Sequence, residues 1–222
     1  YRKERTGNLD EVEIREIKDN YDRLASLESR KADVMKLIAE QDHLTPALKQ
    51  AIEKADKLQD VEDLYLPYKQ KRRTKATIAK DAGLEPLAAW LLRFPASGIQ
   101  EHAAQFVNEA QDITDANTAL AGAHEILAEA FGDNAGLRNW VRNYTRDRGL
   151  LVAKVKPKGK AADEQGVYQQ YYDFNSPIKQ MVPYRVLAIN RGEAEKVLKV
   201  SIDVDRAGID RYCHFRFIGQ HH

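Results

Sequence analysis

A single cysteine, Cys213, stands in 222 residues, so no internal disulfide can form and a reducing compartment is the expectation. No apolar run approaches the ~20 residues that a membrane-spanning helix needs. The start, Tyr1-Arg2-Lys3-Glu4-Arg5, is charged and no apolar stretch follows it, so no signal peptide is visible. These absences point to a soluble, cytoplasmic chain. Nor is there an excess of charge: 35 Lys and Arg face 34 Asp and Glu, a net of +1. A strongly basic nucleic-acid binder is thereby excluded. Attraction for phosphates would have to come from a local patch. Internal repeats and low-complexity tracts are also lacking.

What is present is charge in balance and helical spacing. Charged residues make up 31% of the chain and the mean hydropathy is −0.61, as long solvent-facing helices would give. Apolar residues at Val12, Ile14, Ile17, Tyr21, Leu24, Leu27, Val34, Leu37 and Ile38 recur at steps of three and four. They predict one long helix from about Leu9 to Gln41, capped by Asn8 with Glu11 as its capping-box partner. The expected form is an amphipathic helix packed on its own domain. Thr45-Pro46 and Thr74 read as further helix starts, Glu85-Pro86 as another, and Gly83 as a stop. Later helices are expected near Ala103–Ala110, from Thr114 to Phe131, and across Leu137–Tyr144 up to Gly149.

The period then changes. Leu151, Ala153 and Val155 alternate with polar or outward positions, as do Leu198, Val200, Ile202 and Val204, which predicts two strands in a small antiparallel ribbon. Between them, Ser176-Pro177 and Pro183 each read as the start of a short helix. The fold expected is mainly α, with one long helix, a helix-turn-helix-like part and a β-ribbon. Its divisions are a helical region over residues 1–150, a ribbon with short helices over 151–205, and a segment without clear pattern over 206–222. Both ends read as cuts in a longer protein.

Catalysis needs a constellation, and none is found. His124-Glu125 begins like a zinc-protease motif, but Ala128 stands where the second histidine must be. Cys213-His214 are adjacent, and neighbours on a strand point apart. Asp203 and Asp205 lack a third carboxylate from another element. Gly192-Glu193 and Gly83-Leu84 read as isolated turn glycines, not a phosphate loop. The expectation is no enzyme, no metal, no cofactor and no small-molecule substrate.

One local feature rises above the background. Lys69, Lys71, Arg72, Arg73 and Lys75 place five cations in seven positions, between Pro67 and the helix that Thr74 caps. Clustered cations beside helix N–H groups suit phosphates. The same residues also suit a solvated turn, or one that pairs with an acidic face elsewhere, and composition favours neither. A looser basic row runs through Arg138, Arg142, Arg146 and Arg148 to Lys154, Lys156, Lys158 and Lys160, and reads as a solvated face.

Three stretches carry a family resemblance. Tyr1 to Glu11, Asp63-Leu64-Tyr65-Leu66-Pro67-Tyr68-Lys69 through Ala79 with Gly83-Leu84-Glu85-Pro86-Leu87, and Pro183 to Glu193 resemble, in order, motifs of the Tex family of transcription accessory proteins. Two departures stand out: Gln70 replaces a common proline, and Tyr184 a common histidine, which argues against any role needing an imidazole there. The resemblance implies a non-catalytic helical scaffold from the N-terminal region of a longer protein, with a helix-turn-helix-like part near residues 45–95. Full-length members continue into a ribonuclease-H-type domain, helix-hairpin-helix elements and an OB-fold RNA-binding domain. The partners implied are nucleic acid, RNA or DNA without sequence preference, and the transcription machinery. The alternative is a protein-interaction platform that docks on the parent protein's other domains or on that machinery.

Overall fold

The computed structural model describes Glu4, Gly7 and residues 9–219, which form two compact units, Tyr1–Arg138 and Asn139–His222. The first is helical throughout. Helix α1 (Glu11–Ala39) starts at a reciprocal capping box in which Asp10 accepts from the Glu13 N–H and Glu13 from the Asp10 N–H, both at 2.8 Å. The cap therefore lies at Asp10 and Glu13, not at Asn8 and Glu11; Asn8 lies outside the described residues. The later half of α1 buries Leu27, Val34 and Ile38 against α2 (Pro46–Glu53) and α3 (Leu58–Tyr65), which contribute Ile52, Val61 and Tyr65. Each such fully buried aliphatic side chain contributes about 1.5–3 kcal/mol. Lys31 is buried among them, and its ammonium donates to Glu28 and to the Glu53 carbonyl at the end of α2. Arg30 clamps Glu62 at 2.6 and 3.3 Å.

The first half of α1 is different. Ile17 is 56% exposed and Tyr21 71%, so the expected packing on its own domain holds only for the later half. Length explains this. At 1.5 Å per residue α1 is roughly 44 Å long, while the eight-residue α2 and α3 each span roughly 12 Å.

A second core in the same unit joins α4 (Lys75–Asp81), α5 (Glu85–Leu91), α6 (Ile99–Ala104) and α7 (Ala116–Gly132). Its facing positions are small, with Ala76, Ala79, Ala88, Ala103, Ala119 and Ala123 all buried, which brings the helix backbones close. Gly83, at φ +80°, ends α4 in the left-handed conformation that glycine adopts freely. Thr45 and Thr74 cap their helices as expected. Helix α8 (Ala135–Arg148) carries the boundary between the units.

The second unit is built on a three-stranded antiparallel sheet in the order β2-β1-β3. The expected ribbon is present: β1 (Leu150–Val155) pairs β3 (Leu198–Asp203), with Leu151 opposite Ile202 and Ala153 opposite Val200. The third strand, β2 (Asp173–Pro177), is unexpected: Ser176-Pro177 ends a strand, and the short helix expected from it is a single 3₁₀ turn, Ile178–Gln180, with Pro177 as its N-cap. Proline without an N–H is tolerated at the end of an edge strand. The 3₁₀ turn leads to α10 (Pro183–Ala194), after the short α9 (Gly159–Ala162) earlier in the chain. The core gathers Ala153, Tyr168, Tyr171, Ile189, Val197 and Leu198. Gly192 is not a turn glycine; it lies buried within α10, where a Cβ would come 2.7 Å from Leu198 and 3.0 Å from Tyr168.

The stretch from Arg206, which shows little pattern in the sequence, forms α11 (Arg206–Cys213), extended by a π-helical turn over His214–Ile218. Asp205 caps it by accepting from the Ala207 N–H at 3.0 Å. Trp140 of α8 stacks on Tyr212 of α11 with ring centroids 3.7 Å apart. Cys213 and His214 thus sit on a helix, where they point about 100° apart, and not on a strand.

Candidate nucleic-acid interface

The basic loop follows a 3₁₀ turn, Leu66–Tyr68, that closes when the Lys69 N–H donates to the Tyr65 and Leu66 carbonyls. Helix α4 begins at its other end. The Thr74 hydroxyl accepts from the Thr77 N–H and donates to Glu129 on α7, both at 3.0 Å. The loop is therefore fixed at both ends.

The five cations do not share one environment. Lys71 is half-buried and its ammonium meets Asp133, with Glu129 at 3.5 Å. Lys75 pairs with Glu125 at 3.5 Å but stays 80% exposed. Lys80, outside the expected set, reaches Glu129 at 3.6 Å. Glu125, Glu129 and Asp133 are four residues apart along one face at the end of α7, so they form an acidic row against which the loop lies. Lys69, Arg72 and Arg73 are exposed, and no ion pair to them is found among the described residues. Lys71 is thus tied down, Lys75 is paired but exposed, and Lys69, Arg72 and Arg73 face outward.

The acidic row is what sequence reasoning missed. Its spacing is legible in the chain, but its partners lie 49 to 62 residues away. Between loop and row lies an open cavity of about 550 Å³, lined by Tyr68, Lys69, Lys71, Glu129 and Asp133 among others. Tyr65 is buried in the first core, and Tyr68 is partly buried against it and tilted toward His43. Tyr65 therefore offers no ring to a partner at the loop, while Tyr68 lines the cavity.

The looser basic row is divided. Arg138 lies in the first unit, where its guanidinium donates to the buried Asp63 at 3.0 Å and to the Gly132 carbonyl at 3.2 Å. In the second unit Arg146 pairs with its neighbour Asp147, Arg142 is also engaged, and Lys154, Lys158 and Lys160 are exposed. His124 is exposed on α7. Asp205 is used as a helix cap and lies 3.7 Å from Arg211. Burial pushes the Cys213 thiol up, and the Asp210 carboxylate adds to this, so a reactive thiolate is disfavoured. Among the described residues no group of three or more His, Cys, Asp and Glu is placed to hold a metal ion, and no helix is long and apolar enough to cross a membrane.

Comparison with known proteins gives consistent matches. A family model described as Tex central region-like matches residues 95–218, and a model described as Tex-like protein N-terminal domain matches residues 1–39. The chain is 45% identical over 221 residues to the uncharacterized protein YdcI of Bacillus subtilis, covering 98% of this chain and 30% of that protein. It is 41% identical over 205 residues to protein tex of Bordetella pertussis, covering 92% and 26% respectively. It is 40% identical over 202 residues to transcriptional accessory protein Tex of Neisseria gonorrhoeae, covering 91% and 26%. The chain thus spans less than a third of the length of each.

Proposed function

Because the chain belongs to the Tex family, we propose that it serves as a non-catalytic helical scaffold of a cytoplasmic transcription accessory protein and adds a sequence-indifferent contact to nucleic acid. The observation that carries this reading is the outward placement of Lys69, Arg72 and Arg73 on a loop anchored at both ends. Such a loop loses little freedom on binding and offers its cations to phosphates, which carry charge but no sequence information.

The number of free cations sets the expected strength. Lys71 already has two carboxylates within reach and Lys75 one, so about three phosphates can be engaged, and affinity should be weak and fall steeply with salt. In a titration of the chain with unrelated DNA and RNA oligonucleotides, Arg72→Ala with Arg73→Ala should weaken all of them alike and flatten the salt slope by up to ~2 units. Thermal stability should change by no more than about 0.5 kcal/mol. Unchanged binding with a large loss of stability would overturn the phosphate reading.

A second reading, a protein-interaction platform, is favoured by the row of Glu125, Glu129 and Asp133, which already neutralises part of the loop. In that reading the exposed arginines dock on an acidic surface of the parent protein or of the transcription machinery.

A further inference from the structure

A second basic segment lies in the other unit and is built differently. From Phe174 to Gly192 the chain carries Lys179, Arg185 and Arg191 and no aspartate or glutamate. The segment runs from the end of β2 through the 3₁₀ turn into α10. One face of α10 is committed to the core through Ile189 and Gly192. The other face carries Tyr184, 63% exposed, and Leu187, 70% exposed, followed by the exposed Arg191. Spacings of three and seven residues put these on one stripe, roughly 10 Å long.

The ring and its cation are held together. The Arg185 guanidinium lies 5.8 Å from the centroid of the Tyr184 ring and 5.9 Å from that of Phe174. Both distances lie within cation–π range, so the charge sits over one side of the exposed ring and a stacked base would take the other. The first carboxylate after the segment, Glu193, is turned toward the sheet, where it accepts from the Val200 N–H at 3.3 Å.

An aliphatic partner would leave three cations without a role. An acidic peptide would use the cations and not the ring. Single-stranded nucleic acid uses both: bases stack on an open aromatic face and the backbone follows the cations, whereas a duplex keeps its base faces covered.

We propose that the outer face of α10 is a base-stacking contact for single-stranded nucleic acid, with an unpaired base on Tyr184 and flanking phosphates on Arg185 and Arg191. The proposal extends the nucleic-acid reading of the chain but does not depend on the basic loop.

The test compares a short labelled oligothymidylate with an abasic strand of equal phosphate number, on the whole chain, with circular dichroism to verify folding. Tyr184→Leu should lower affinity for the base-bearing strand roughly five- to hundredfold and leave the abasic strand unchanged. Tyr184→Phe should stay within about twofold of the parent chain, since the ring is kept. Arg72→Ala with Arg73→Ala should instead weaken both strands equally. If only the Tyr184→Leu effect is seen, the loop reading falls and the stacking contact stands. If Tyr184→Leu weakens both strands alike or neither, or if the parent chain binds neither strand, the stacking contact is overturned.

Discussion

In the first unit, carboxylates are met by cations. Glu129 receives Lys71 and Lys80, Asp133 receives Lys71, Glu62 receives Arg30, and the buried Asp63 receives Arg138. In the second unit the buried Asp163 is met by neutral donors, the N–H groups of Val167 and Tyr168 at 2.8 Å and the Tyr172 hydroxyl at 2.9 Å. That unit's Phe174–Gly192 segment carries three cations and no carboxylate of its own, with Glu193 and Glu195 following Arg191. A net charge of +1 therefore conceals unevenly placed charge. The Glu125–Asp133 row cancels part of the basic loop and Arg146 and Arg211 meet carboxylates, while Lys69, Arg72 and Arg73 in the first unit and Lys179 and Arg191 in the second face outward. Whole-chain charge is a poor guide to phosphate affinity when its parts are sorted in this way.

The largest expected effect tests the neutral cradle. Burial works against the Asp163 charge, but the hydrogen bonds from Tyr168, Tyr172 and Val167 outweigh it and hold the carboxyl below the usual aspartate range. Burial raises the Tyr172 phenol, and the same contact adds to it. A carboxyl that is more acidic when folded adds stability above its unfolded value, ~3.9, and that contribution is lost as pH falls through the folded value. Asp163→Ala strands three donors and should lower the melting temperature more than either Lys71→Met or Glu125→Gln. Asp163→Asn should flatten the acid limb of a stability-versus-pH curve. If its acid limb matched that of the parent chain, the carboxylate would have no such role.

An intermediate effect is expected where charge meets charge. Lys71→Met takes the cation from Asp133 and leaves Glu129, also mostly buried, only Lys80 at 3.6 Å, and should cost about 1–3 kcal/mol in urea unfolding. Equal stability of the variant would mean that the row needs no counter-charge and that the contrast between the units is only apparent.

The smallest effect lies at the exposed end of the row. Glu125→Gln releases the exposed Lys75 and should change stability by only a few tenths of a kcal/mol. Nucleic-acid affinity should rise by a few-fold, as one more cation becomes available. A fall in affinity would show that Glu125 positions the loop and does not compete for it.

Much of the fold is legible in the sequence because its signals are local. Thr45 before Pro46, Thr74 before α4, Glu85-Pro86 and Pro183 all mark helix starts that the structure has, since a cap depends on three or four neighbouring residues. The alternation in β1 and β3 is equally plain. The third strand is not, because Asp173-Phe174-Asn175-Ser176-Pro177 has a single large apolar residue and is extended only through its pairing with β1. Gly192 reads as a turn because nothing nearby in sequence shows that Leu198 and Tyr168 press on it. At the candidate site the cations are visible, but their division into tied and free is not. That division depends on Glu125, Glu129 and Asp133, which only the fold brings to the loop.

The long helix α1 carries its apolar residues in two registers. Leu27, Lys31, Val34 and Ile38 face the first core, while Ile14, Ile17, Tyr21 and Leu24 share a stripe rotated from that face by about 90° at 3.6 residues per turn. The anchored half supplies the costly helical nucleus, and the outer half need only propagate from it one residue at a time. The outer turns thus inherit their helicity and have little packing of their own, so order along α1 should decay from Leu27 toward Glu11 like a flag held at one edge. Any surface that covers the second stripe would meet a segment already helical and would supply only contacts.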